Sequence, residues 1–113
     1  MLRYIRDQRL KLNIESNGTA ITPHHADLIR SCPGAFISVS IDGKKENHEW
    51  MRGVKGSFER ASQGVKTLVE TGIRPQVIMA VAGRNKEEMA DLARYAQELG
   101  ASSVKYNFVI STA

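Results

Sequence analysis

Segments in which apolar and polar residues alternate place the strongest constraint on how this chain can fold. The clearest runs from Phe36 to Asp42, where Ile, Val and Ile alternate with two serines and an aspartate, and Leu12–Asn17 and Ser103–Phe108 repeat the pattern. Strict alternation with a period of two is typical of a β-strand with one apolar and one polar face. Each strand therefore needs packing on one side only, and its other side faces water or a polar cavity.

Helical patterns lie between the strands and give the chain an alternating order. The predicted helices are Met1–Arg9, His24–Ser31 after Thr22-Pro23, a helix with Ser57 as its N-cap and a helix with Asn85 as its N-cap; an apolar strand is predicted at Val77–Ala82 and a polar loop from Lys44 to Gly56. Strands that alternate with helices imply right-handed parallel units. The sequence therefore predicts one α/β domain over residues 1–113, with about four parallel strands and helices on one face.

The polar faces of the strands carry the side chains that a binding site would need. They are Asn13, Glu15, Asn17, Ser38, Ser40, Asp42, Lys105 and Asn107. Part of a TIM-like (βα) barrel with a ligand in its lumen would give this pattern, with the chemistry at the carboxyl ends of the strands. A two-layer sandwich with one solvated face is the alternative that the pattern leaves open.

Composition bears on location and on metal chemistry. A hydrophobic content of 42% and a charged content of 25% are typical of a globular protein. The sequence has no apolar run long enough to span a bilayer and no signal peptide, so we expect a cytoplasmic protein without a membrane partner. The single cysteine, Cys32, excludes an internal disulfide and any all-cysteine cluster built by this chain alone.

Basic residues give the chain a net charge of +4 and fall into two groups. The first group, predicted to be a solvated helix face, is Arg3, Arg6, Arg9 and Lys11. The second group, which could attract an anionic ligand, is Lys44, Lys45, Arg52 and Lys55. Nucleic acid is not an expected partner, because the charges lack the interleaved run of aromatic residues that stacks bases.

A series of short motifs runs through the chain in a definite order. They are Ser16–Thr19 (Ser-Asn-Gly-Thr), Ser38–Gly43 (Ser-Val-Ser-Ile-Asp-Gly), His48–Gly53, Gly56–Ala61, Leu68–Ile73, Asn85 with Glu87-Glu88, and Glu98–Ala101. In this order and at these spacings the chain resembles the radical S-adenosylmethionine (SAM) enzymes, especially the SPASM-type maturases and their relatives. The resemblance covers the chain from about Leu12 to Phe108.

The resemblance implies a partial (βα)6 barrel of which this chain supplies about strands three to six. The family holds a 4Fe–4S cluster with a Cys-x-x-x-Cys-x-x-Cys motif and grips the SAM amino group with a Gly-Gly-Glu segment. It cleaves SAM reductively and abstracts a hydrogen atom from a substrate. Neither motif is present here. We therefore expect a middle piece of a longer Fe–S oxidoreductase, with SAM and the cluster as cofactors of the full-length parent and no activity in this chain alone.

The resemblance also implies roles for polar residues near the strand ends. The candidates for SAM binding are Ser40, Asp42, Arg52, Asn17, Ser38 and Asn107. Ser40 and Asp42 would approach SAM, although Asp42 could instead belong to a simple strand-end turn. Arg52 could clamp a carboxylate with its planar guanidinium, or remain a solvated arginine.

The remaining polar residues have equally open interpretations. Asn17 could bind the ligand or only stabilise a turn, and Asn107 with Lys105 could contact substrate or adenine, or form a wet surface. His48 could carry a proton, or it could order the loop near Trp50. No catalytic residue and no metal ligand is predicted in this chain.

Other functions and partners also follow from the sequence. A lysine on the polar face, Lys105, could form a Schiff base, as in barrel-type lyases and aldolases. A non-enzymatic interaction module is a further alternative, because open sheet edges invite association, most simply as a dimer. In a radical SAM parent the substrate would be a small molecule or a peptide, which the sequence does not identify.

Overall fold

The described residues form four strands and four α-helices along the chain. A computed structural model describes residues 13–32 and 34–109. The strands are β1 (Asn13–Ser16), β2 (Phe36–Ser40), β3 (Gln76–Val81) and β4 (Ser103–Phe108). The helices are α1 (Pro23–Arg30), α2 (Lys45–Arg52), α3 (Ser57–Glu70) and α4 (Met89–Leu99), the last preceded by a 3₁₀ turn at Lys86–Glu88. The predicted helix Met1–Arg9, with its basic residues, lies outside the described residues.

All four strands are parallel and lie side by side in chain order. In the register of the sheet, Ser40 lies beside Ile78, Ile78 beside Lys105, and Ala80 beside Asn107. Paired residues of neighbouring strands project to the same side of a sheet. The predicted shared face of Ser40, Lys105 and Asn107 is therefore confirmed.

The helices pack on one face of the sheet, as predicted. Alternate strand residues meet apolar residues of α1, α3 and α4 in the core, whose buried members include Ala26, Ile29, Ile37, Val39, Ile41, Ala61, Val65, Leu68, Val77, Met79, Val81, Leu92 and Ala96. On the other face, Glu15, Lys105 and Asn107 are exposed. None of the helices in the described residues has the length and apolar character needed to cross a bilayer.

The first helix boundary is confirmed in atomic detail. The Thr22 hydroxyl accepts a hydrogen bond from the His25 backbone N–H at 3.2 Å, and Pro23 occupies the first position of α1. The His25 ring in turn accepts from the Thr22 N–H at 3.3 Å. These contacts satisfy backbone groups that a helix otherwise leaves unpaired at its amino end.

Two local predictions between β2 and α4 are wrong, and a third is right in position only. The predicted polar loop Lys44–Gly56 contains helix α2. Its one buried residue is His48, so its sequence lacks the periodic apolar residues that predict a helix. Gly56, with φ of 83°, occupies the N-cap of α3, and Ser57 is the first residue inside the helix. Asn85 occupies the N-cap position of the 3₁₀ turn that leads into α4, but its side chain makes no capping bond, because its amide is turned toward the sheet.

Candidate ligand site at the carboxyl ends of the strands

Asp42 lies just beyond β2 and joins two strands to helix α2. Its Oδ1 accepts a hydrogen bond from the Ala80 backbone N–H of β3 at 2.9 Å, and its Oδ2 lies 2.8 Å from Nε of Arg52. The Asp42 side chain is 4% exposed and that of Arg52 is 34% exposed. A carboxylate removed from water in this way needs both partners, and it fixes the arginine at the carboxyl edge of the sheet.

His48 holds the same strand end from the other direction. Its Nδ1 accepts a hydrogen bond from the Asp42 backbone N–H at 2.9 Å. In a neutral ring that accepts through Nδ1, the proton lies on Nε2. Burial lowers the pKa of His48 below its usual value, and the nearby Asp42 carboxylate opposes that shift only in part. This histidine therefore orders the segment after β2, which was one of its two predicted roles.

The lowered pKa of His48 predicts a pH-dependent stability. Below its ordinary pKa of about 6.5 the unfolded chain takes up a proton that the folded chain does not, so stability falls as pH falls through that range. We expect thermal unfolding between pH 7.5 and 5.5 to show a smaller loss of stability in His48→Asn than in the unmodified chain.

The matched control for His48 is His24→Asn, which changes an exposed helix residue. It should retain the full pH dependence of the unmodified chain. Equal pH dependence in all three proteins would contradict a buried neutral His48.

Asn85 is a buried residue whose side-chain role the sequence did not predict. It is fully buried, its Nδ2 donates to the carbonyls of Asp42 at 2.9 Å and Ala80 at 2.8 Å, and its Oδ1 accepts from the Ala82 N–H at 2.7 Å. The amide therefore ties together the backbone on both sides of the Asp42 carboxylate. An Asn between a strand and a helix signals a cap or a turn, and nothing in the local pattern distinguishes those from this bridge.

A pocket of about 320 Å³ opens beside Arg52. It is lined by Asn17, Thr19, His48, Arg52, Val54, Ser57 and Arg60. Two arginines contribute positive charge, and no carboxylate is among the lining residues. A lining rich in N–H and O–H donors is suited to an anionic group.

The other predicted site residues occupy different parts of the sheet. Ser40 ends β2 on the face away from the helices and is half-buried, whereas Ser38 is 3% exposed and lies 3.4 Å from the Gln76 side chain in mid-strand. Asn17 is exposed, and its Oδ1 accepts from the N–H and the hydroxyl of Thr19. Asn107 lies across the sheet in β4. The structure thus brings Asn17 and Arg52 to one pocket and places Ser38 and Asn107 apart from it.

The residues present do not fit an iron–sulfur cluster. Cys32 is the one cysteine of the sequence, and it is buried near the amino end of β2, with its thiol 3.3 Å from the Leu28 carbonyl. Within residues 13–32 and 34–109, no group of three or more His, Cys, Asp or Glu is arranged to hold a metal ion. Cluster ligands would have to come from outside this chain.

Curated proteins from several microbes resemble the chain over nearly its whole length. The AdoMet-dependent heme synthase of Methanosarcina barkeri is 35% identical over 111 residues, which is 97% of this chain and 32% of that protein. The subtilosin biosynthesis protein AlbA of Bacillus subtilis is 32% identical over 111 residues, 96% of this chain and 25% of that protein. The chain therefore spans about a third or less of the length of these relatives.

Solved structures share the fold. SuiB of Streptococcus suis, bound to S-adenosylmethionine, matches with a TM-score of 0.81 at 13% identity, covering 98% of this chain and 26% of SuiB. SuiB bound to its precursor peptide SuiA matches with a TM-score of 0.79 at 14% identity, covering 95% of this chain and 24% of SuiB. The profile of the Radical SAM superfamily matches residues 1–96, most of the sequence. This chain belongs to the radical SAM superfamily.

Proposed function

We propose that the carboxyl edge of this sheet binds S-adenosylmethionine and that Arg52 receives the ligand's carboxylate. The ion pair between Arg52 and the buried Asp42 carries the proposal, because it holds a guanidinium in place beside a pocket lined by hydrogen-bond donors. Asp42 then acts by positioning Arg52, since both its oxygens already have partners within the protein. The SAM complex of SuiB, which has the same fold, supports this choice of ligand.

The other candidate residues differ in how directly they would contact the ligand. Ser40, half-buried at the end of β2, lies two residues before Asp42 on the face of the sheet away from the helices. Asn17 borders the pocket, whereas Asn107 lies across the sheet on the same face as Ser40 and would contact only a part of the ligand that extends beyond the pocket. Ser38 would support the strand through Gln76 and would reach the ligand least.

The activity of a whole protein containing this chain is a further part of the proposal. A 4Fe–4S cluster on cysteines outside the chain would supply the electron for reductive cleavage of SAM, and this chain alone would be inactive. Its substrate would be a small molecule or a peptide, and a peptide is bound in one SuiB structure. We place such a protein in the cytoplasm. The Schiff-base alternative at Lys105 is not favoured, because the family membership points to SAM chemistry.

Isothermal titration of the chain with SAM tests this function. We expect saturable binding that weakens about tenfold in Arg52→Gln, because one charge-assisted contact to a carboxylate is lost. The matched control is Arg74→Gln, which removes an equal charge near the amino ends of the strands, where Arg74 donates to the Gly100 carbonyl. No saturable binding, or equal losses in the two variants, would rule the proposal out.

We also propose that the isolated chain associates with a second copy through its sheet edges. β1 and β4 are the outer strands of the sheet, and Phe108 and Val109 at the end of β4 are 65% and 62% exposed. Unpaired edges with apolar side chains favour pairing between chains. Sedimentation at dilute concentration should reveal a dimer, and monomer alone would argue against it.

A further inference from the structure

We propose that the Ser57 hydroxyl and the Arg60 guanidinium are ligand-binding groups that complete a carboxylate site together with Arg52. The inference rests on the proposed SAM function and adds two residues to the site. Ser57 is the first residue of α3 and is buried there.

The Ser57 hydroxyl is an unsatisfied buried group. Ser57 is 5% exposed, and its Oγ is the one buried side-chain polar atom in residues 13–32 and 34–109 without a hydrogen-bond partner. A buried hydroxyl without a hydrogen-bond partner lowers the stability of the fold, so its presence in a native structure needs an explanation. Ser57 also lines the pocket beside Arg52, so a ligand there can supply the missing partner.

The groups around Ser57 select for negative charge. The Nε of Arg52 forms an ion pair with Asp42, and Nη2 of Arg60 donates a hydrogen bond to the Lys55 carbonyl at 3.2 Å. A guanidinium carries five N–H donors, so each arginine keeps others for a ligand. His48 presents its Nε2–H side when Nδ1 accepts from Asp42. Every charged side chain that lines the pocket is therefore cationic.

The amino end of α3, where Ser57 lies, already binds one carboxylate of this chain. Glu49 places Oε2 3.4 Å from the Phe58 backbone N–H, in the first turn of this 14-residue helix. The amino end of a helix favours negative charge through its unpaired N–H groups. Glu49 does not line the pocket, so a second carboxylate, that of the ligand, can meet Ser57 and the two arginines from the open side.

Replacing Ser57 with alanine separates a ligand-binding role from a structural one. If the hydroxyl serves only the fold, Ser57→Ala leaves SAM affinity unchanged. If the hydroxyl binds the ligand, the variant keeps or gains thermal stability, because an unsatisfied group is removed, yet binds SAM about tenfold more weakly. Arg60→Gln should weaken SAM binding by a similar factor.

A matched control lies on the same helix. Ser62 is buried and accepts a hydrogen bond from the Tyr95 hydroxyl at 2.7 Å, and it does not line the pocket. Ser62→Ala should therefore lower the melting temperature without changing SAM affinity. A second probe, decarboxylated SAM, should bind Ser57→Ala and the unmodified chain equally.

The outcomes distinguish this inference from the function on which it rests. SAM binding that is unchanged in Ser57→Ala, or weakened equally for SAM and its decarboxylated form, would overturn the inference and leave the proposed function standing. No saturable binding of SAM by the unmodified chain would overturn both.

Discussion

Asp42→Ala should lower the free energy of unfolding by about 3 kcal/mol, because it leaves a partly buried arginine and a strand N–H without their shared partner. Asp42 is 4% exposed and bridges Ala80 and Arg52. The same change should weaken SAM binding measured by titration about as much as Arg52→Gln does, since Arg52 would no longer be fixed beside the pocket. Urea unfolding at 25 °C measures the first effect.

The isosteric variant Asp42→Asn provides the control for this prediction. Its amide oxygen can still accept from the Ala80 N–H, whereas the charge opposite Arg52 is lost. We expect a loss of stability between those of the unmodified chain and Asp42→Ala. An alanine variant as stable as the unmodified chain would show that the ion pair contributes nothing to the fold.

Gly64→Ala should destabilise the chain by about 3 kcal/mol, although alanine normally stabilises a helix relative to glycine by about 1 kcal/mol. A Cβ at Gly64 would lie 2.3 Å from the Gly18 carbonyl oxygen, so α3 and the loop after β1 would have to separate. That loop carries Asn17 and Thr19 to the pocket. Chemical denaturation should therefore show a lower unfolding midpoint, and SAM binding should weaken with it.

Gly83→Ala is the matched control for the close approach at Gly64. A Cβ at Gly83 would meet no heavy atom within 4 Å. Its free energy of unfolding should stay within about 0.5 kcal/mol of the unmodified value. A Gly64→Ala protein that equals or exceeds the unmodified chain in stability would contradict the contact between α3 and Gly18.

The sheet could be predicted from the sequence because its two faces differ in chemistry. Ile37, Val39 and Ile41 alternate with Ser38 and Ser40, and these three apolar residues lie in the core between the parallel sheet and its helices. Arg52 could be singled out as a carboxylate-binding candidate from its motif. Its ion pair with Asp42 depends on the helical phase of α2, which the sequence pattern did not predict.

The details of the site could not be predicted because they depend on contacts distant in sequence. The local sequence predicts that Asn85 caps a helix, yet its side chain donates a hydrogen bond to the carbonyl of Asp42, 43 residues earlier in the chain. Ser57 reads as an N-cap, but Gly56 takes that position with a positive φ and leaves the serine hydroxyl unpaired. In both cases a local preference for a cap gave way to tertiary geometry.

The most direct measurement is a ¹H–¹⁵N spectrum of the chain titrated with SAM. We predict saturable shifts at the backbone amides of Ser40 and Asp42 and at the Arg52 side chain, with no change at residues such as Gly100 near the amino ends of the strands. Shifts confined to the helix-covered face, or a spectrum unchanged at millimolar SAM, would contradict a ligand site at the carboxyl ends of these strands.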